Sequence, residues 1–370
     1  MSCLMIMAGG TGGHVFPALA VANHLSQQGV KIVWLGTAKG IEGRLVPAAG
    51  YETHWISVQG LRGNGLLRWL LAPFSLLRAV WQALQIMRKV KPDCVLGMGG
   101  FASGPGGIAA VLLGKPLVVH EQNAVAGLTN KWLAKVAKSV LSGFRNTIGL
   151  PDHAVWVGNP VREDIAASRS MAAAGYIDAS GKVSKAKRVL ILGGSQGAHS
   201  LNKAMPNVLS VIDAQQTLSI WHQAGRERAE QVITLYAQAK NPSVQRELDV
   251  QVTEFIDDMA AAYAWADIII CRAGAMTVTE IMAAGKPAVF VPYPYAAGDH
   301  QTLNAQSMVD EEAALMVTDA DLSSGEFIEK LKLLLRDTDR LQRMGDNAVR
   351  LYRSKATEQT AEVCLEYLNA

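Results

Sequence analysis

One short pattern occurs twice in this chain and dictates much of what it can fold into. Gly9-Gly10-Thr11-Gly12-Gly13-His14 follows the apolar run Leu4–Met7, and Gly194-Ser195-Gln196-Gly197-Ala198-His199 follows Val189–Leu192. Gly9, Gly12 and His14 map onto Gly194, Gly197 and His199 at one offset of 185 residues, half of the 370-residue length. An apolar run, a glycine turn and a helix start are the parts of a β-α-β unit, so the repeat implies two domains built alike. A second echo agrees. Asp93-Cys94-Val95-Leu96 leads to Gly114-Lys115-Pro116, and Asp267-Ile268-Ile269-Ile270 leads to Gly285-Lys286-Pro287. Further strand-like runs at Lys31–Leu35, Cys94–Leu96, Leu117–His120, Ile268–Cys271 and Ala288–Pro292 alternate with helical stretches.

The expected fold is therefore α/β, with two Rossmann-like, doubly wound parallel sheets facing a cleft lined by strand carboxyl ends, where such sheets bind ligands. Residues 1–163 form the expected first domain and 188–344 the second. The polar, alanine-rich stretch 164–187 reads as a linker, and the C-terminal helix 345–370 is expected to return to the first domain. Hydrophobic residues at 49% against 18% charged exclude a disordered chain. Cys3, Cys94, Cys271 and Cys364 lie far apart without ligand spacing, which argues against a disulfide framework or a structural zinc site and fits a reducing compartment. The start of the chain lacks the pattern of an export signal.

Charge is unevenly placed. Residues 53–151 carry eleven Lys and Arg against only Asp93 and Glu121, a surplus of +9 inside a chain of net +3. Within that basic segment Leu67, Leu70, Phe74, Leu77, Trp81 and Leu84 recur at helical spacing, interleaved with Arg68 and Arg78. Pro73 and the arginines interrupt the run, so it does not span a bilayer. Two readings stand: a crossover helix buried in its own domain, or a face that dips into an anionic leaflet, the favoured one. Nucleic acid is the competing anion, but no aromatic stacking series or known binding module accompanies the charge.

A glycine turn before a helix offers backbone N–H groups and a positive dipole end, which suits phosphate. The nicotinamide fingerprint fails, because Val15 stands where the third glycine belongs and no acid closes Lys31–Leu35. A Walker loop fails too, since both Gly-Lys pairs run into proline. A nucleotide diphosphate-sugar remains. Asp319-Ala320-Asp321 and Asp337-Thr338-Asp339 have the form of a metal clamp but read as caps and solvated surface, so no metal or other cofactor is expected.

The ordered motifs closely resemble the MurG family, peripheral membrane glycosyltransferases of the GT-B fold that make the peptidoglycan precursor lipid II. They are Ala8-Gly-Gly-Thr-Gly-Gly-His14, Gly60-Leu-Arg-Gly63, Gly97-Met-Gly-Gly100 with Ser103-Gly-Pro-Gly-Gly107, His120-Glu-Gln-Asn123, Gly127-Leu-Thr-Asn-Lys131, Gly158-Asn-Pro-Val-Arg162, Gly193-Gly-Ser-Gln-Gly197, Cys271-Arg-Ala-Gly-Ala275 and His300-Gln301 with Asn304-Ala305. His300 departs from relatives that carry Gln there. The resemblance implies an inverting hexosyltransferase that moves N-acetylglucosamine from UDP-N-acetylglucosamine to the C4 hydroxyl of the muramoyl sugar of lipid I. The expected location is the cytoplasmic face of the bacterial inner membrane, with wall-synthesis or division proteins as further partners.

By matching position, the resemblance implies donor contacts from Ser195, Gln196 and Gly197 at the diphosphate, Ile256 at uracil and Glu280 at the ribose. Ala275, Met276 and Thr277 lend helix-start backbone groups, Gln301 and Asn123 hold the sugar, and Arg162 reaches the diphosphate. Thr11, Gly12 and Gly13 are expected to serve donor and acceptor alike. Gly10, Gly99, Gly100, Ser103, Gly104, His120 and Asn130 are expected at the acceptor. For the catalytic base His14 is favoured, because an imidazole titrates near neutrality, and Glu121 is the rival. The alternatives are another GT-B enzyme acting on a lipid, a UDP-N-acetylglucosamine epimerase, or a non-catalytic membrane-bound UDP-sugar sensor.

Overall fold

A computed structural model describes residues 2–58, 66–172, 186–194, 197–212, 217–239 and 249–369. The chain divides into two compact units, Met1–Arg162 with Arg353–Ala370, and Glu163–Tyr352. In the first, β1 (Cys3–Ala8), β2 (Lys31–Gly36), β3 (Glu52–Trp55), β4 (Cys94–Gly99), β5 (Leu117–Glu121), β6 (Ser139–Ser142) and β7 (Val155–Trp156) form a parallel sheet ordered β3-β2-β1-β4-β5-β6-β7. In the second, β8 (Lys187–Leu192), β9 (Leu218–Gln223), β10 (Asp249–Thr253), β11 (Ile268–Cys271), β12 (Ala288–Phe290) and β13 (Ala314–Met316) follow the order β10-β9-β8-β11-β12-β13, again parallel. Each sheet winds both ways from its first strand. The switch points fall between β1 and β4 and between β8 and β11, where doubly wound sheets bind ligands.

The sequence of β1 explains its place. All six residues of Cys-Leu-Met-Ile-Met-Ala are buried, as a parallel strand covered on both faces requires. Strand side chains alternate between faces. Leu4, Ile6 and Ala8 join Val15, Val21 and Leu25 of the helix Gly12–Gln27, together with Ala361, Cys364 and Leu368 of the helix Ala356–Leu368. Cys3, Met5 and Met7 face the other way, onto Ala79, Ala83 and Met87. Those last three sit four residues apart on the helix Leu66–Val90 and make its buried stripe.

The opposite stripe of that helix stays open. Phe74, Leu77 and Trp81 are 70%, 66% and 60% exposed, and Arg78 lies among them, so the fully buried crossover reading does not hold for this helix. The side chains of Leu67, Arg68 and Leu70 lie outside the described residues. No helix among the described residues is long and apolar enough to cross a membrane.

Two boundaries differ from the sequence reading. The expected linker begins as a helix, Glu163–Ala172, which belongs to the second unit and packs on the helices Met259–Trp265 and Ala275–Ala284. Glu163 and Asp164 favour its N-terminus, and Ile165 and Ser168 are wholly buried. Residues 173–185 lie outside the described part. The tail also divides later than expected. The helix Thr338–Leu351 buries Leu341, Met344 and Ala348 in the second unit, and a Cβ at Gly345 would overlap the Gly285 carbonyl. Only Arg353–Ala370 returns to the first unit.

Candidate active site

In the first unit the candidate residues gather at the carboxyl ends of three adjacent strands. The turn Gly9–Gly13 leaves β1 and opens the helix Gly12–Gln27, whose N-cap, Thr11, makes no side-chain cap. Gly10 takes φ +85° and Gly100 takes φ +89°, left-handed conformations that favour glycine. Gly100 also needs its bare Cα because a Cβ there would overlap the Gly9 carbonyl. Gly99 has φ +101°, and a Cβ on it would come within 2.9 Å of the His14 ring. His14 therefore lies against the backbone at the end of β4. Its Nδ1 bonds Gln122 Oε1 at 2.8 Å.

Glu121, at the end of β5, is 1% exposed and fully engaged. Oε1 accepts the Asn123 N–H at 2.9 Å and Nδ2 of Asn123 at 3.0 Å. Oε2 accepts the Gly127 N–H at 3.1 Å and Nδ2 of Asn130 at 2.9 Å. A carboxylate has about four acceptor positions, and all are taken. Glu121 shapes the loop from Asn123 to Asn130, with both carboxylate oxygens engaged in this structure.

Three residues expected at the acceptor are buried and hydrogen-bonded within the unit. Ser103 is wholly buried, with Oγ 2.7 Å from the Gly99 carbonyl and 2.9 Å from that of Met7. His120 is wholly buried, with Nε2 on the Gly158 carbonyl at 2.9 Å. Desolvation of its charged form pushes the His120 pKa down to about 4, and backbone bonds and Glu121 only partly oppose this. Asn130, 2% exposed, donates to Glu121 and to the His120 carbonyl. Thr11 and Gly10 are exposed, Gly12, Gly13 and Gly100 are half-buried, Gly104 stands in the first turn of the helix Ser103–Leu112, and Arg162 is half-buried at the end of the unit.

Two residues not assigned from sequence complete this site. Gln122 links His14 to His120, with Nε2 3.1 Å from His120 Nδ1 and 3.0 Å from the His120 carbonyl. Glu42 is wholly buried, accepting the Gly10 N–H at 2.9 Å and the N–H and Oγ–H of Thr37 at 3.1 and 2.7 Å. The available signal was the cluster Gly36, Gly40 and Gly43 around Glu42: a Cβ at Gly9 or Gly40 would overlap its carboxyl group.

The second unit repeats the layout. Ser195 and Gln196 lie outside the described residues, but the glycines beside them are placed. Gly194 and Gly197 take φ +72° and +71°, and a Cβ at Gly197 would overlap the Ala224 carbonyl. The helix His199–Ser210 follows with no side-chain cap, and Ala275–Ala284 begins after β11 in the same way. Ala275 and Met276 are buried and Thr277 half-buried at that second helix start, leaving first-turn N–H groups and a positive dipole end for an anion. Glu280, one turn on, accepts from Tyr263 Oη at 2.9 Å. Gln301 opens the helix His300–Val309 and accepts the Tyr293 N–H at 2.9 Å. Ile256 is buried in the segment after β10.

Arg272 binds these parts together. Its guanidinium donates to the Val291 and Pro292 carbonyls, to Ser200 Oγ and to both carboxylate oxygens of Asp319, the nearest at 2.6 Å. Asp319 is thus a buttress of the second glycine turn, not the solvated residue expected. Asp321 accepts from Thr318 Oγ at 2.6 Å, and Asp337 caps the helix Thr338–Leu351, as expected of a cap. No cluster of three metal-ligating side chains occurs among the described residues.

Two doubly wound units, each with a glycine turn and uncapped helix starts at its switch point, define the GT-B class of nucleotide-sugar enzymes. Residues 4–142 match the glycosyltransferase family 28 N-terminal domain and 188–362 the glycosyltransferase family 28 C-terminal domain. A relative from Shewanella denitrificans is 48% identical over 98% of this chain and 96% of its own length. Its name is UDP-N-acetylglucosamine--N-acetylmuramyl-(pentapeptide) pyrophosphoryl-undecaprenol N-acetylglucosamine transferase. The crystal structure of Acinetobacter baumannii MurG is similar at TM-score 0.82 and 41% identity, covering 99% of this chain and 100% of that one. A glycosyltransferase of kitacinnamycin shares the fold alone, at TM-score 0.70 and 14% identity over 99% of each chain. The chain belongs to the MurG family of glycosyltransferases.

Proposed function

We propose that this chain transfers N-acetylglucosamine from UDP-N-acetylglucosamine to the C4 hydroxyl of the muramoyl sugar in undecaprenyl-diphospho-N-acetylmuramoyl-pentapeptide, with inversion and release of UDP. The observation that carries the mechanism is His14, half-buried at the first glycine turn, with Nδ1 on Gln122 and Nε2 without a described partner. As the acceptor oxygen attacks the anomeric carbon, its proton passes to His14 Nε2 and the bond to the diphosphate breaks. The charge gathering on UDP is met by the helix starts at His199 and Ala275, by the turn around Ser195, Gln196 and Gly197, and by Arg162. Glu280 takes the ribose hydroxyls, Ile256 the base, and Gln301 and Asn123 the transferred sugar. Gly10 to Gly13 and Gly99 to Gly104 border the acceptor.

The transfer runs without a metal in this reading, because Asp319 is committed to Arg272 and Asp337 to a helix cap. The acceptor's lipid calls for a membrane surface. Phe74, Leu77 and Trp81 are exposed, as are Leu112, Leu128 and Trp132 on the helices Ser103–Leu112 and Leu128–Leu133, which pack in succession beside Leu66–Val90. Arg78 and Lys135, the latter 4.3 Å over the Trp132 ring, supply cations for an anionic leaflet. The chain works at the cytoplasmic face of the inner membrane in this reading.

Two variants divide the roles. His14→Ala is expected to lower kcat by roughly 10²- to 10⁴-fold, the usual worth of a general base, while the donor KM stays near its starting value. Glu280→Ala is expected to raise the donor KM by roughly 10-fold, the loss of one hydrogen bond to a charged group. Loss of donor binding in His14→Ala, or full turnover, would remove His14 as the base.

A further inference from the structure

We propose that His120 and Gln122 are positioning residues that hold His14 as its Nδ1–H tautomer, leaving the Nε2 lone pair free for the acceptor proton. The inference rests on the reading of His14 as the base and deepens it.

The Gly158 carbonyl only accepts, so the 2.9 Å contact requires His120 Nε2 to carry a hydrogen. His120 is wholly buried and neutral near physiological pH, so its Nδ1 is an acceptor. That nitrogen lies 3.1 Å from the side-chain amide of Gln122 and is matched only by the NH2 end. A second acceptor agrees, because the His120 carbonyl faces the same nitrogen at 3.0 Å. The orientation of the Gln122 amide follows from these two contacts without reference to His14.

Its oxygen is then turned to His14. At 2.8 Å from His14 Nδ1, Oε1 accepts only if Nδ1 bears the hydrogen; the other tautomer would set lone pair against lone pair. The geometry is held from the backbone. Asn159 Nδ2 donates to the Gln122 carbonyl at 3.0 Å, and Gly99, lacking a Cβ, lets the His14 ring lie against the end of β4. Glu121, beside the chain, spends its oxygens on Asn123, Gly127 and Asn130 and leaves the relay to the amide. When His14 takes a proton at Nε2, both ring nitrogens carry hydrogen and Oε1 still accepts from Nδ1. The partner is neutral, so the imidazolium is oriented without a carboxylate trapping the proton.

The test is long-range proton–nitrogen correlation on the full chain with 15N-labelled histidine near neutral pH, the His14 signal being assigned by its loss in His14→Gln. The expected spectrum shows a protonated Nδ1 and an unprotonated Nε2. In Gln122→Met that signal is expected to move toward the Nε2–H form, with kcat lowered and the donor KM unchanged, the loss reaching roughly 10⁴-fold where a catalytic histidine is held fully in the wrong tautomer. His120→Phe should act in the same direction through the amide. A wild-type His14 protonated at Nε2, or a tautomer that ignores Gln122→Met, would overturn the proposal, and the wild-type spectrum decides even if a variant fails to fold. Full turnover in His14→Gln beside the expected wild-type tautomer would sink the base assignment instead.

Discussion

Glu42 gives a demanding test, because it lies outside every glycine motif and yet holds the first one. Replacement by Gln preserves the volume of the side chain and removes one acceptor. The amide oxygen can face Thr37, keeping the bonds of 3.1 and 2.7 Å, but the NH2 then meets the Gly10 N–H, donor against donor, at a place now bridged at 2.9 Å. Turning the amide over moves the conflict to Thr37. A hydrogen bond to a charged acceptor contributes about 1.5–3 kcal/mol, and burying an unmatched donor adds to the loss. With Glu42 wholly buried, Glu42→Gln should destabilise the first unit by about 3 kcal/mol. For a unit of this size that lowers Tm by about 6–12 °C. Thermal unfolding followed by hydrogen exchange in β1 and β2 reads this directly. A Tm within about a degree of the original, with exchange unchanged, would refute the idea that this carboxylate secures the turn.

Acid should unfold the protein in a defined window. Burial lowers the pKa of His120 to about 4 and that of His222, held between Tyr236 and Asn202, to about 3, from an ordinary value of 6.5. The unfolded chain therefore takes up protons that the folded one refuses. The stability tied to these neutral rings is complete above pH ~6.5 and falls as the pH drops toward their folded values, by about 3 kcal/mol for each by pH ~4. Urea midpoints against pH measure it, and a His222→Gln profile as steep as the original would contradict the assignment to His222. The exposed stripe offers a different test. Changing Phe74, Leu77 and Trp81 together to Ser should leave Tm near its starting value, since Ala79, Ala83 and Met87 make the packed face. Binding to anionic vesicles should fall at least roughly 10-fold, given about 1.5–3 kcal/mol per large apolar side chain removed from water. Unchanged vesicle binding would contradict the membrane reading.

How much of this was legible in the sequence depended on where each strand sits. The seven apolar runs read as strands are strands, because a parallel strand covered on both faces is written in aliphatic residues without interruption. The strands missed are short, near an edge, or mixed in polarity. Glu52–Trp55 closes one edge of the first sheet with only partly buried side chains, and Leu218–Gln223 carries His222 and Gln223 inside the second sheet. His222 is affordable there only because Tyr236 and Asn202, distant in sequence, satisfy both ring nitrogens. The linker was misread for a related reason. Alanine and serine look featureless in composition, but Ile165 and Ser168 are wholly buried where Glu163–Ala172 packs on two helices.

The candidate site divides the same way. Glycines that need positive φ or close approach announce themselves, and so does a histidine next to them. Burial of partners does not. Whether Glu121 is a free base or a saturated loop anchor depends on Asn123, Gly127 and Asn130 closing around it, and spacing alone does not show that. Gln122 was overlooked because an amide has no charge or pKa to attract notice, yet its two ends are what connect His120 to His14.

The most direct measurement is UDP release from UDP-N-acetylglucosamine with and without a soluble analogue of the muramoyl-diphosphate lipid, in the presence of a chelator. Release that requires the acceptor, ignores the chelator and yields the disaccharide would match the transfer described. Release without acceptor, or donor binding with no release when acceptor is present, would contradict it and return the chain to an epimerase or a UDP-sugar sensor.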